Sequence, residues 1–377
     1  MSTSSSCPKP KFRRGEIISG FEVVKKLGSG GFGAVYQVRK HGVELALKTE
    51  FVDENEEQTL KNEVHMLRLM QWSDSFCRLY TAKRLVWNCQ QVNIIVMTLC
   101  DRPLSRLRRM MPKRHFSKST AARLSFQLLE AIRDLHHTGI LHRDVKASNC
   151  GWHASSRRIL LFDLGFSRKY LELDETKSQM RHRSARQSAG FMGTSKYCSV
   201  FAHEELDQGR RDDLWAWLYS TVEFFLGTLP WAAEEKTILV SIQKKKVGKK
   251  LFLKCPREIV LIYEHVRQLK FESCPDYSLM FALFHQMFTR FEIDQSDPLD
   301  FEEGSAHFDK YYKDQRSESE DEEKETEETS FEDLSGVEMD EVHKSVKEED
   351  KKFGRIAAGF NRALTRLINV KNDLFEA

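Results

Sequence analysis

The apolar residues of this chain change their period once, near residue 100, and that change limits the folds open to it. From Phe21 to about Thr98 the pattern is mainly that of strands, in the runs Phe21–Leu27, Ala34–Arg39, Val43–Thr49, Arg78–Val86 and Val92–Met97. One helical stretch interrupts them near Glu56–Met70, where Leu60, Val64, Leu67 and Leu69 lean towards one face. From Ser105 onward the spacing is helical. Ser117–His137 forms a long amphipathic segment with Ser117 as its cap, and Arg211–Leu226, Arg257–Leu269 and Tyr277–Phe291 follow. The pattern predicts an α+β protein in which a small strand-rich lobe (21–98) precedes a larger helical one (102–312). A chain of 377 residues is long for a single compact core, and two lobes sharing a cleft, plus a tail, suit that length.

The hydrophobic fraction of 40% is enough to build both cores. The formal charge of +3 conceals a division, because residues 317–352 alone carry about eleven net negative charges and the rest of the chain is therefore basic. A basic body suits acidic partners. Eight scattered cysteines without a CxxC pair read as free thiols of a reducing compartment. Residues 1–20 read as a flexible lead-in, and Met1–Arg14 lacks the apolar stretch of a signal peptide. No run of about 18 apolar residues exists to cross a membrane. The expectation is a soluble monomer of the cytoplasm, with the nucleus also open to it.

Four motifs carry chemistry. Gly28-Ser29-Gly30-Gly31-Phe32-Gly33 matches GxGxxG, which alone is weak and fits an ordinary glycine turn. A dinucleotide fold would place a helix after it, whereas Ala34–Val38 reads as a strand, the hairpin form that covers nucleotide phosphates with glycine backbone. Lys48 closes the apolar run Leu45-Ala46-Leu47 and would point from a sheet edge towards that loop, with Glu63 on the next helix placed to pair with it. A solvated strand-end lysine is the plainer reading of Lys48 alone. His142-Arg143-Asp144-Val145-Lys146-Ala147-Ser148-Asn149 is far more specific. Asp144 would accept the proton of an attacking hydroxyl, Lys146 would neutralise charge on a γ-phosphoryl group, and Asn149 would hold a metal ion. Asp163-Leu164-Gly165 follows the apolar strand Ile159–Phe162, and Asp163 would chelate Mg²⁺ bridging the phosphates of ATP. Phosphoryl transfer needs positioning and cations near the developing charge, and these residues occur in the order that mechanism requires.

From Phe21 to Phe308 the chain resembles the casein kinase 1 group of Ser/Thr protein kinases, and within it the tau-tubulin kinase branch. The resemblance rests on Ala189-Gly190-Phe191-Met192-Gly193-Thr194-Ser195-Lys196-Tyr197-Cys198-Ser199-Val200, which stands where most protein kinases carry Ala-Pro-Glu, and on the segment from His203 to Trp231. It implies a bilobal protein-kinase fold with an antiparallel small-lobe sheet over residues 21–312. It also implies an ATP site of Leu27, Gly28, Gly30, Gly33, Val35, Ala46 and Lys48, with Met97 as gatekeeper and Cys100 offering a backbone N–H to adenine. Asp213 would be the buried carboxylate that ties the catalytic loop, and Lys196 an anion-binding residue beside the substrate groove. The expected activity is Mg²⁺-ATP-dependent phosphorylation of protein Ser/Thr, favouring acidic or primed sites. No nucleic acid or membrane partner is expected.

Three residues depart from the family pattern: Ala147 for Pro, Leu164 for Phe, and Phe201 for Asn, the last of which would alter how the activation segment is anchored. A pseudokinase scaffold is the main alternative, although such chains lose counterparts of Lys48, Asp144 or Asp163, all present here. ATP turnover discriminates the two. A structural adaptor of another fold would have no use for the 144–149 segment.

The charged stretch 313–352 has few large apolar residues and is expected to be a disordered linker. Thr326, Ser330 and Ser335 each have Glu three residues upstream, so this tail resembles the expected substrate and would compete for the groove. Residues 353–377 place Phe353, Ile356, Phe360, Leu364, Leu367, Ile368 and Leu374 near one face of an amphipathic helix whose apolar side needs a partner.

Overall fold

The computed structural model describes residues 11–29, 33–52, 58–174 and 179–308. Gly30, the acidic stretch 313–352 and the segment 353–377 lie outside the described residues.

Strands β1 (Ile17–Ile18), β2 (Phe21–Ser29), β3 (Ala34–Lys40), β4 (Val43–Phe51), β5 (Leu79–Trp87) and β6 (Gln90–Thr98) form an antiparallel sheet in the order β1-β2-β3-β4-β6-β5. Helix α1 (Thr59–Leu69) lies between β4 and β5 in sequence. The two-residue period of a strand sorts its side chains by face. Leu45, Leu47, Val92, Ile94 and Val96 join an outer cluster, whereas Ala46, Ile95 and Met97 join the main core shared with α1 and the large lobe. β4 is flanked by β3 and β6, so Lys48 stands on an interior strand and not at a sheet edge as its sequence position suggested. Helix α1 buries Leu60, Glu63, Met66 and Leu67, while Val64 and Leu69 are only partly covered. The charged Glu63 takes a place on the inner face that an apolar count gives to Val64.

Residues 11–20 of the lead-in, expected to be flexible, pack on the sheet instead, while residues 1–10 lie outside the described residues. Phe12 is buried, its ring 5.2 Å from Tyr36 and 5.4 Å from Trp87, and β1 pairs with β2. The outer apolar face of the sheet needs a cover, and this segment supplies it.

The large lobe begins with β7 (Arg102–Pro103), α2 (Leu104–Arg109) and α3 (Lys118–His137). Ser117 caps α3 by accepting the Thr120 N–H. Short ladders follow: β8 (Ile140–Leu141) pairs with β11 (Arg168–Lys169), β9 (Cys150–His153) with β10 (Arg158–Leu161) and β7, and β12 (Leu171–Asp174) with β13 (Gln179–His182). Helices α4 (Val200–His203), α5 (Arg210–Leu226), α6 (Thr237–Val247), α7 (Arg257–Gln268) and α8 (Tyr277–Arg290) complete it. α5 is buried on nearly every side, and its Trp217 indole donates to the Ser125 carbonyl of α3 at 2.9 Å. Helix α6 escapes the periodicity argument because Ile238, Leu239 and Ile242 face solvent. Among the described residues no helix is long and apolar enough to cross a membrane.

Candidate active site

Strand β4 carries Lys48 to the cleft, and α1 and the turn after β10 bring two carboxylates to it. The Lys48 ammonium lies 2.7 Å from Glu63 Oε2 and 2.8 Å from Asp163 Oδ1. Burial alone would depress this lysine, but the two carboxylates outweigh it and hold Lys48 above its usual range and charged. Burial likewise opposes ionisation of Asp163, and Lys48 overcomes it, so the carboxyl sits below its ordinary value. Asp163 adopts a left-handed backbone (φ 64°), uncommon for a non-glycine residue and frequent at functional sites.

Asp144 is buried and fully engaged. Its Oδ1 accepts the Thr194 hydroxyl at 2.7 Å, and Oδ2 meets Lys146 Nζ at 2.8 Å and Asn149 Nδ2 at 3.2 Å. Lys146 Nζ also donates to Thr194 Oγ1 at 2.7 Å, closing a triangle of acid, lysine and hydroxyl. Below this loop Asp213 of α5 accepts the backbone N–H groups of His142 and Arg143, each at 2.8 Å, and meets His136 Nε2 at 2.9 Å. Burial resists ionisation of Asp213, yet His136 and the loop donors hold its carboxyl below the usual range. The grip matters because Arg143 is itself left-handed, with φ 68°.

Val35, Ala46 and Met97 lie on adjacent strands above the cleft. Ala46 pairs with Met97 and Val35 with Lys48, with Ala46 and Met97 buried and Val35 half-buried. Leu27 at the end of β2 is exposed, and Cys100, just past β6, is half-buried. Gly28 pairs with Val35 and has open space around it, whereas a Cβ on Gly33 would fall 1.7 Å from the Thr49 carbonyl oxygen. Gly33 therefore lets the hairpin lie flat against β4. A Cβ on Gly151 would come within 2.5 Å of Cys100 Cβ, so that glycine sets how closely the connection between the lobes meets the cleft floor.

The residues fit ATP with a divalent metal. Asp163 offers a carboxylate beside a charged lysine. Asn149 spends its amide nitrogen on Asp144 and keeps its oxygen as an acceptor. Among the described residues no cluster of three His, Cys, Asp or Glu could hold a metal by itself.

Lys196 does not stand free. Its Nζ lies 2.7 Å from Glu223 Oε1, which Arg108 also reaches at 3.0 Å, while the Tyr197 hydroxyl donates to Oε2 at 2.7 Å. Two cations on one buried carboxylate leave one positive charge in excess. Phe201 lies under the Arg211 guanidinium, 3.5 Å from ring centroid to Cζ, and thereby ties α4 to the start of α5.

Several residues of the site escaped the sequence reading. Thr194, though inside the quoted 189–200 segment, gave no sign of its contact with Asp144. Glu223 looks like one more polar position of α5. Lys244 of α6 is buried without a carboxylate partner among the described residues, donating to the carbonyls of Ser195 at 2.7 Å and Cys198 at 2.6 Å and to His203 Nε2 at 3.1 Å. Asn62 of α1 donates to the carbonyls of Gly165 and Ser167, fastening the helix to the turn after Asp163.

Residues 21–286 match the protein kinase domain family. A probable serine/threonine-protein kinase of Dictyostelium discoideum is 33% identical over 298 residues, covering 77% of this chain and 58% of that protein; this chain thus spans little more than half of that relative. A putative serine/threonine-protein kinase of Caenorhabditis elegans is 32% identical over 75% of this chain and 82% of its own length. The serine/threonine-protein kinase spe-6 of the same animal is 31% identical over 75% of both. Among solved structures, vaccinia related kinase 3 superposes with a TM-score of 0.64 at 17% identity, covering 78% of this chain and 96% of that one.

Proposed function

Because this chain belongs to the protein kinase family, we propose that it transfers the γ-phosphoryl group of ATP to Ser and Thr hydroxyls of proteins, with Mg²⁺ as the metal. The observation that carries the reading is the Asp144–Lys146–Thr194 triangle beside the Lys48–Glu63–Asp163 bridge.

Each group then has a task. Glu63 holds Lys48 in place for the α- and β-phosphates. Asp163 and Asn149 would hold the metal, which supplies charge neutralisation between the phosphates when bound. Asp144 accepts the proton of the incoming hydroxyl; Thr194 already donates a hydroxyl to its Oδ1, the chemistry a substrate Ser or Thr would present. Lys146, 2.8 Å from Asp144, supplies positive charge where the transferring group develops negative charge. Asp213 positions the loop through the His142 and Arg143 amides. Leu27, Val35, Ala46 and Met97 would enclose the adenine, and Cys100 would offer it a backbone N–H.

The substrate preference proposed is for acidic or already phosphorylated sites, and the casein kinase 1 group with its tau-tubulin branch is the placement within the family that the 189–231 segment supports. The excess charge of Lys196 and Arg108 over Glu223 supports that preference. So does the group of Arg143, Arg168, Arg183 and Arg186, of which Arg183 and Arg186 pair with Asp207; burial first, and then the positive charge of Arg168, Arg186 and Arg183, draws Arg143 down to about 10. Incubation of the purified protein with Mg²⁺-ATP and dephosphorylated casein, followed by phosphoamino-acid analysis, tests the reading. Phosphoserine and phosphothreonine are expected; phosphotyrosine, or no transfer, would contradict it.

A further inference from the structure

Helix α6 buries Val240 in the core but turns three of its other apolar residues to solvent. Ile238 is 71% exposed, Ile242 54% and Leu239 38%, and Leu253 just beyond the helix is 46% exposed. Ile238 and Ile242 are one turn apart, and Lys245 and Lys246 continue the same stripe. Residues 236–254 hold seven lysines and no acidic residue. Lys244 is buried beneath the activation segment, Lys245 pairs with Glu204 at 2.6 Å and Lys249 with Glu264 at 3.2 Å. Glu234 and Glu235 precede the helix. Even so, Lys246, Lys250 and Lys254 bring positive charge without a carboxylate partner among the described residues. An exposed apolar stripe continued by basic residues is the footprint of a binding surface.

We propose that this face of α6 is a docking site for the protein substrate, engaging an acidic segment of that substrate that carries apolar residues one helical turn apart. The charge balance selects the occupant: a basic rim repels a basic partner and attracts an acidic one. The position selects its role. Lys244 of the same helix donates to the carbonyls of Ser195 and Cys198, and the Trp231 indole donates to the Lys196 carbonyl at 2.8 Å, so α6 is fastened to the segment that runs on from Thr194, beside Asp144. A substrate held on α6 has its flanking chain delivered towards Asp144. Docking there raises the local concentration of the modified hydroxyl without contributing to the chemistry.

This inference rests on the kinase reading, and the test separates the two. Dephosphorylated β-casein, an acidic protein rich in apolar residues, and a short peptide cut from around its modified site serve as probes. The double variants Ile238→Ser/Ile242→Ser and Lys246→Glu/Lys250→Glu change only exposed side chains. Each is expected to raise KM for whole casein about tenfold, leaving kcat and the KM of the short peptide unchanged. The casein KM of wild type also rises with salt, and that of the lysine variant rises less. Loss of transfer to both probes by the wild-type protein is failure of the kinase reading. Normal peptide kinetics with an unchanged casein KM in both variants overturns the docking site alone. Sedimentation of wild type as a dimer that the isoleucine variant abolishes, or wild-type co-sedimentation with phosphatidylserine vesicles lost in the lysine variant, would overturn it by assigning the face to a second copy or to a lipid surface.

Discussion

Asp213→Asn removes a charge from beneath the catalytic loop while keeping the size of the side chain. Both carboxylate oxygens are in use, Oδ1 for the Arg143 N–H and Oδ2 for the His142 N–H and His136 Nε2. An amide has one acceptor oxygen, so either rotamer turns an NH₂ group on one of the two backbone donors. A buried donor left unsatisfied costs about 1–3 kcal/mol, and the remaining bonds lose their charge assistance, giving about 2–4 kcal/mol in all. At roughly 2–4 °C per kcal/mol for a large domain, Tm should fall by roughly 5–15 °C. The loosened donors adjoin Asp144, so kcat should fall by about one to two orders of magnitude while KM for ATP holds. The sign with pH is also set. The Asp213 carboxyl lies below its usual value, so wild type loses this stabilisation as pH falls below about 4, and the gap between wild type and variant should narrow there. Melting curves at neutral and acid pH with steady-state kinetics decide it. A variant that melts within about 1 °C of wild type at neutral pH, with kcat intact, refutes the reasoning.

Three further outcomes are expected. Lys48→Arg should reduce transfer by about 10² or more with the fold retained, because a guanidinium cannot take the point-like place between Glu63 and Asp163; restored turnover at high ATP would contradict this. Gly33→Val should raise KM for ATP by about tenfold or more, since its Cβ would displace the hairpin from the Thr49 carbonyl, and an unchanged KM counts against the cradle. Burial pulls Lys244 down to about 8, so above that pH it loses a proton and one of its three donors to the activation segment. Peptide KM should therefore rise between pH 8 and 9. Thermal stability should not fall through this group, because the unfolded lysine holds its proton to higher pH. Lys244→Met should abolish that limb of the pH profile, and persistence of the limb assigns it elsewhere.

The parts of the site that the sequence displays are those whose partners are near in the chain or whose spacing is itself the signal. Asp144, Lys146 and Asn149 share one octapeptide, and Asp163 follows a single strand later. Thr194 meets Asp144 across fifty residues, and Glu223 meets Lys196 across twenty-seven; nothing local distinguishes either from a surface residue. Lys48 looked like a strand-end lysine because strand order is not written in a single strand, and β6 turns out to cover the side that would make an edge. Phe12 is a lone aromatic among Pro, Lys and Arg, and only the bare outer face of the sheet explains its burial. Helix α6 gave no core-facing period because Ile238, Leu239 and Ile242 face outward and only Val240 among its apolar residues is fully buried.

The central claim, that Asp144, Lys48 and Asp163 together form a phosphoryl-transfer site, is tested most directly by single-turnover transfer of labelled γ-phosphate from Mg²⁺-ATP to dephosphorylated casein by wild type, Asp144→Asn and Asp163→Asn. Each variant should keep a cooperative melt and lose about 10³ or more in transfer rate. A folded Asp163→Asn protein that transfers within about tenfold of wild type would contradict the account.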